Sequence, residues 1–248
     1  MAESTVTFRV FRYNPVTDEK PYWALYPVTV EPGDPVLMGL MRIREEQDGS
    51  LAFRASCRSG ICGSDAMVIA GRSRLACKTQ ILHVLNAQRE VVVEPLRNLS
   101  YVKDLVVDQT PFWEKFYQVD PWLHEDPLSK PPTTERLMQL PESEFDDISK
   151  ASDCIFCQIC YSECPVNGMD RAFLGPQALI KAFRFEADPR DHGTPDRART
   201  LNNQEGVWKC RTTFNCTLSC PKGIPITKGI QALKREMLTV GLGRGGGV

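Results

Sequence analysis

Four thiols and a proline stand at Cys154, Cys157, Cys160, Cys164 and Pro165, in the order C-x2-C-x2-C-x3-C-P. Thiolates at this spacing hold iron–sulfur clusters, and the fourth cysteine of such a run serves a different cluster from the first three. The reason is geometric. Three cysteines three residues apart on a tightly wound loop converge on three corners of one iron cube, whereas the fourth lies a further turn along and points elsewhere. The run therefore predicts two clusters and needs partners downstream. Cys210, Cys216, Cys220 and Pro221 supply them at matching intervals, with Thr213 where the second cysteine of the pattern belongs. Reciprocal ligation assigns Cys154, Cys157, Cys160 and Cys220 to one cluster, and only Cys164, Cys210 and Cys216 to the other. Four thiolates suit a [4Fe–4S] cube. Three leave one corner without a thiolate, and a [3Fe–4S] cluster is the expected consequence.

A further set lies upstream. Cys57, Cys62, Asp65 and Cys77 follow C-x4-C-x2-D-x11-C. This is the plant-type [2Fe–2S] spacing with aspartate in the third cysteine's place. Gly60 and Gly63 let the loop turn amide N–H groups toward the sulfurs, and such hydrogen bonds help to set a cluster's potential. The bland reading of Asp65 is a solvated loop carboxylate beside a degenerate or zinc-binding three-cysteine site. The reading favoured by the otherwise intact spacing is an oxygen ligand, because carboxylates do ligate metals.

The bulk properties agree with a metal-bearing electron carrier. With 30 basic and 31 acidic residues the net charge of −1 makes no case for nucleic acid or an anionic surface. The N-terminus lacks a basic stretch followed by an apolar core, so no secretory signal is expected. No apolar stretch approaches the length of a membrane span. Ten cysteines without an export signal point to thiolate–metal chemistry rather than a disulfide framework. No G-x-S-x-G, P-loop or dinucleotide fingerprint occurs. His83, His124 and His192 lie outside the cysteine motifs and are read as packing or surface residues. No catalytic residue is expected. A zinc-stabilised interaction module is the alternative from another class, disfavoured because structural zinc sites pair C-x2-C elements around a single metal.

The elements that must carry these motifs can be read in outline, and the fold class is α+β. Residues 5–12 alternate as a half-buried strand, residues 22–30 form an antiparallel partner, and Asn14-Pro15 turns the chain between them. Val36, Leu37, Leu40, Met41 and Ile43 fall at helical spacing, with Asp34 as the expected cap and Pro35 in the first turn. Strands are expected at 67–70 and 91–94. The set suggests a β-grasp domain over residues 1–107. From 108 to 150 recurrent prolines mark a linker region. It opens with a short amphipathic helix carrying aromatic packing residues, and continues through an extended Pro127–Pro132 connector. Within the domain 108–248 the remainder is all-α, with helices at 148–154, 176–187 and 226–240. Each Cys-Pro pair should start a helix, and 241–248 forms a disordered tail.

A plant-type [2Fe–2S] domain followed by a dicluster domain short of one cysteine resembles the iron–sulfur subunit of succinate dehydrogenase and fumarate reductase. The resemblance spans nearly the whole chain, through 56–64, Leu75-Ala76-Cys77, Lys103–Asp108, the run 154–165 and Cys216–Gly223. Some members of that family also carry aspartate at the third [2Fe–2S] position. The resemblance implies a flavoprotein subunit that oxidises succinate on covalently bound FAD. Electrons would cross this chain from [2Fe–2S] through [4Fe–4S] to [3Fe–4S], and then reach quinone held partly by a membrane-anchor subunit. The same-class alternative is a fumarate reductase working in reverse. The implied location is peripheral, on the cytoplasmic face of the inner or plasma membrane. The chain departs from the family pattern after Cys164-Pro165, where no tryptophan follows, and at Arg211, where histidine is common. Pro165, Met169, Arg211 and Thr213 are the candidates for the quinone vicinity.

Overall fold

The computed structural model describes residues 4–124 and 142–243. The chain divides into two compact units, Met1–Pro111 with Ile155–Glu163, and Phe112–Cys154 with Cys164–Val248. The expected Pro127–Pro132 connector and the last five residues of the tail lie outside the described residues.

The first unit is built on a five-stranded sheet. Strand β1 (Ser4–Arg12) pairs antiparallel with β2 (Tyr22–Val30), Phe8 facing Tyr26 across the ladder. The alternation of apolar and polar residues sends Val6, Phe8 and Val10 inward, where they are buried. Strand β3 (Ala66–Ile69) and β4 (Arg72–Leu75) form a hairpin, and β5 (Glu90–Glu94) runs parallel to β1, giving the order β2-β1-β5-β3-β4. Helix α1 (Val36–Arg42) packs against this sheet. Its Gly39 is needed for close approach, since a Cβ there would stand 2.2 Å from the Phe8 ring. A two-stranded ribbon of β6 (Tyr101–Lys103) and β7 (Val106–Val107) closes the unit.

The cap of α1 differs from expectation. Pro35 is the capping residue and makes no side-chain bond, while Asp34 accepts from Glu31 N at 3.0 Å and from Arg42 Nη1 at 2.6 Å. The free amides at the helix start are met from elsewhere. Val36 N donates to Thr79 O (2.8 Å) and Leu37 N to Ala76 O (3.1 Å). The segment around Cys77 thus does the work a cap would do, and α1 in turn holds that segment in place.

The turn between β6 and β7 is pinned by charge. Asp104 is buried and accepts from Arg12 Nε (2.9 Å), Tyr13 N (2.9 Å) and Ala52 N (2.8 Å). Arg12 also pairs with Asp48 and donates to Ser50 Oγ at 2.7 Å. A buried cation satisfied from several sides keeps its charge, and these carboxylates hold Arg12 above the usual guanidinium range against the opposing effect of burial.

After α2 (Thr110–Tyr117) and α3 (Glu142–Ser152), the segment Ile155–Glu163 is tied to the first unit by the short helix α4 (Ile159–Ser162). Ile159 enters the core, Ser162 Oγ bonds Ser73 Oγ at 2.8 Å, and Ser73 N donates to Glu163 Oε1 at 2.7 Å. Asn98 Nδ2 donates to the carbonyls of Tyr161 and Ser162, both at 3.0 Å.

The second unit is helical. It comprises α2 (Thr110–Tyr117, from Phe112 on), α3 (Glu142–Ser152), α5 (Pro165–Met169), α6 (Pro176–Glu186), α7 (Thr194–Leu201), α8 (Asn215–Leu218) and α9 (Ile226–Gly243). Helix α6, with Ala178, Leu179, Ile180 and Ala182 buried, packs against α9, whose Ile226, Ile230, Leu233 and Met237 are also buried. Phe112 is fully buried, whereas Tyr117 and Trp122 remain about half exposed. Arg197 is the largest fully buried side chain among the described residues. It pairs with Asp191 (2.5 Å) and Glu186 (3.2 Å) and donates to the carbonyls of Asp120 (3.1 Å) and Trp122 (2.7 Å).

Two expectations change here. Helix α9 runs on to Gly243, into the stretch expected as a tail. Cys164-Pro165 does open a helix, α5, but Cys220-Pro221 opens only a turn, because Pro225 sets the start of α9 at Ile226.

Candidate metal centres

The loop after Phe53 wraps its amides around one sulfur. Ile61 N (3.3 Å) and Cys62 N (3.2 Å) donate to Cys57 Sγ, with Ser59 N at 3.5 Å, and Cys57 N donates to Cys62 Sγ at 3.5 Å. The Ser59 amide leads the contributions that push the Cys57 thiol down to about 6. A loop that stabilises a thiolate before any metal arrives is suited to ligate one. Cys77 behaves oppositely: burial, and then the Asp65 carboxylate beside it, push its thiol up to about 12.

Asp65 is not a solvated loop residue. Its side chain is 2% exposed, Oδ2 accepts from Cys77 N at 2.5 Å, and Oδ1 is buried with no hydrogen-bond partner. A buried carboxylate oxygen left unmatched is costly, and a metal ligand bond would satisfy it. These donors fit a [2Fe–2S] cluster: amides toward one thiolate, a buried thiol, and a carboxylate oxygen to spare.

The two cysteine runs share one local backbone. In the first, Phe156 (φ 54°) and Gln158 (φ 65°) flank Cys157 in left-handed conformation. In the second, Thr212 (φ 57°) and Phe214 (φ 62°) flank Thr213 in the same way. Each run then enters a one-turn helix, α4 or α8, that carries the next cysteine, Cys160 or Cys216. Thr213 is therefore the structural counterpart of Cys157, with the turn preserved and the sulfur gone.

In the second unit Cys164, Cys210 and Cys216 line one cavity, together with Arg211, Thr213 and Thr227. Burial pushes the thiols of Cys164 and Cys216 above their usual range. The Thr227 hydroxyl lies 3.7 Å from Cys216 Sγ. Three sulfurs and a hydroxyl around one apolar hollow fit a cluster with one corner lacking a thiolate. Pro165 and Met169 are not among the residues lining this cavity, and Met169 is 88% exposed at the end of α5. Of the remaining cysteines, Cys157 and Cys160 lie in the first unit, Cys160 buried, and Cys154 and Cys220 in the second. Among the described residues no three His, Cys, Asp or Glu side chains form a single-ion site.

Three residues near these sites carried no motif. Lys115 on α2 is buried, its ammonium pushed down to about 8 by burial against the pull of Asp170 and Cys164. Gln158 is 2% exposed with both side-chain polar atoms unpartnered. Thr227 is the third. Their only sequence signal is adjacency: Gln158 follows a cysteine and Lys115 sits among aromatics.

Fold and sites define an iron–sulfur electron-transfer protein, a plant-type ferredoxin domain joined to a helical dicluster domain. Residues 7–114 match the family model of a 2Fe-2S iron-sulfur cluster binding domain, and residues 150–224 that of a 4Fe-4S dicluster domain. The fumarate reductase iron-sulfur subunit of Mycobacterium tuberculosis is 39% identical over 94% of this chain and 93% of its own length. The mitochondrial succinate dehydrogenase [ubiquinone] iron-sulfur subunit 1 of rice (Oryza sativa) is 36% identical over 95% of this chain and 83% of its own. Among solved structures, a chain of the Mycobacterium smegmatis Sdh1 complex in the apo form superposes with a TM-score of 0.85 at 26% identity, covering 99% of this chain and 100% of that one. The chain belongs to the family of succinate dehydrogenase and fumarate reductase iron–sulfur subunits.

Proposed function

We propose that this electron-transfer subunit carries three clusters and works in a succinate:quinone oxidoreductase. Cys57, Cys62, Asp65 and Cys77 hold the [2Fe–2S] cluster; Cys154, Cys157, Cys160 and Cys220 hold the [4Fe–4S] cluster; Cys164, Cys210 and Cys216 hold a [3Fe–4S] cluster. The observation that carries this reading is the cavity in which Thr213 takes the position of a thiolate beside three cysteines. When bound, such clusters supply one-electron carriers in series. The chain's own residues set their properties. Amides of the 57–62 loop offset thiolate charge at the first site, and one missing thiolate favours the reduced state at the last, against the opposing effect of burial.

The first domain, residues 1–107, serves a FAD-containing flavoprotein. The second, residues 108–248, serves a membrane-anchor subunit where quinone binds, with Arg211 and Thr213 nearest the cavity and Pro165 and Met169 outside its lining. The subunit is peripheral, at the cytoplasmic face of the inner or plasma membrane. Among the described residues no helix is long and apolar enough to cross a membrane. A reverse, fumarate-reducing role is the second reading, favoured by the 39% identical mycobacterial relative.

The test is succinate addition to the purified complex, followed by rapid-freeze EPR. Succinate should elicit the reduced [2Fe–2S] signal and quinone should abolish it. A complex with its flavin intact whose iron is never reduced by succinate, nor oxidised by fumarate, contradicts the reading.

A further inference from the structure

Gly63 stands between Cys62 and Ser64 with φ +68°. A Cβ added there would lie 2.7 Å from Cys157 Cβ, 2.9 Å from the Ile155 carbonyl oxygen and 3.0 Å from Cys157 Cα. Two of these three obstacles are backbone atoms, which cannot swing aside. The loop that presents Cys62 therefore lies against Cys157 itself, and both belong to the first unit. The contact is not slack on the Cys157 side, because Ile159 is buried in the core and Ser73 and Asn98 hold Ser162 and Tyr161.

We propose that Gly63 is a positioning residue for electron transfer. Its missing side chain lets the Cys62 loop abut Cys157 and so sets the separation between the first centre and the one Cys157 helps to hold. This rests on the ligand sets proposed above. The step is a single electron moving from the reduced first centre to the oxidised second, with no bond made or broken and no proton transferred. Tunnelling falls steeply with distance, so the backbone contact governs the rate while leaving each centre's ligands alone.

The competing role is purely conformational: glycine tolerates positive φ where other residues are strained. Gly60 separates the two. It has φ +75°, in the same loop, but a Cβ there meets only the flexible chain of Lys78, with Cγ and Cδ at 2.9 Å. Gly60→Ala imposes the same kind of backbone strain without opposing residues 155–157.

The test uses the purified complex, fully reduced, and reads the magnetic splitting between the two reduced centres by EPR at low temperature, per assembled cluster. In Gly63→Ala the splitting should shrink; in Gly60→Ala the splitting should equal that of the unsubstituted complex. An unchanged splitting in Gly63→Ala, or an equal loss in both variants, overturns the proposal. Where Gly63→Ala fails to assemble the first cluster, the double variant Ser73→Ala/Asn98→Ala decides. It loosens residues 155–163 while substituting no residue of either ligand loop; a smaller splitting supports the proposal and an unsubstituted value overturns it. An unsubstituted complex lacking either signal or its iron would refute the ligand assignment instead.

Discussion

The loop around Cys57 and the cavity around Cys216 solve one problem in opposite ways. At the first, Cys57 and Cys62 are exposed and backbone amides draw the Cys57 thiol down to about 6. At the second, burial pushes the thiols of Cys164 and Cys216 up, and the main side-chain relief for Cys216 is the Thr227 hydroxyl. An open site can spend amides on thiolate charge, and a buried one gains by carrying fewer thiolates. Thr213 in the turn that elsewhere holds Cys157 is the expression of that difference. The first site suits exchange at an exposed face, and the second favours holding an electron.

The largest effect should come from Thr213→Cys, which makes the two cysteine runs alike. A fourth thiolate should convert the last cluster to four-iron form, so that the paramagnetic signal of the oxidised protein disappears and bound iron rises. Persistence of that signal would mean the turn cannot deliver a sulfur to the cavity.

Next are the two buried arginines, one in each region. Removing one partner of a buried ion pair strands the other, at a cost of roughly 3–5 kcal/mol. Arg197→Met should lower the stability of the helical unit by about that much, stranding Asp191 and Glu186. Arg12→Met should do the same in the sheet unit by stranding Asp104. Denaturant melts followed at the [2Fe–2S] absorption and by overall helicity should show each variant affecting its own unit first.

Asp65→Cys is a milder change. It should retain the first cluster and lower its midpoint potential, as added thiolate charge disfavours reduction; loss of the cluster would count against ligand equivalence.

The smallest effect is in pH dependence, where the two units should differ in sign. Asp48 is held well below the usual carboxylate range, first by the Ser50 hydroxyl and then by Tyr26 and Arg12, against burial. Its depressed value means a contribution present above the ordinary carboxylate range and lost on acidification. Glu236 is pushed from 4.5 up to about 7 by burial and by Glu186. Its contribution is full below 4.5 and is lost as pH rises through about 7. Thermal melts across this window should show the decline in the helical unit, and Glu236→Gln should flatten it.

Local pattern was enough for much of this. The antiparallel partner strand expected at 22–30 became β2 at those bounds, and the residues spaced for a helix after Pro35 became α1. Two of the cluster types read from the cysteine spacings, [2Fe–2S] and [4Fe–4S], are those of the matching family models. What stayed hidden depends on residues far apart in the chain. Asp34 had the type of a cap, but carbonyls at 76 and 79 reached the amides first. The clustering of Ile155–Glu163 with the first unit rests on Ser73 bonding residues 89 and 90 positions away. Gly63 read as a loop glycine, and only its distance to Cys157 reveals what its missing side chain leaves room for.

The most direct test of the contrast between the two sites is EPR of the anaerobically purified complex as oxidised, with iron and sulfide quantified. The account predicts a paramagnetic three-iron signal in the oxidised sample, since ordinary oxidised two-iron and four-iron centres are silent. New signals should appear on dithionite reduction. Silence when oxidised, with four irons at the Cys164–Cys210–Cys216 site, would contradict it and assign a non-cysteine ligand to the fourth corner.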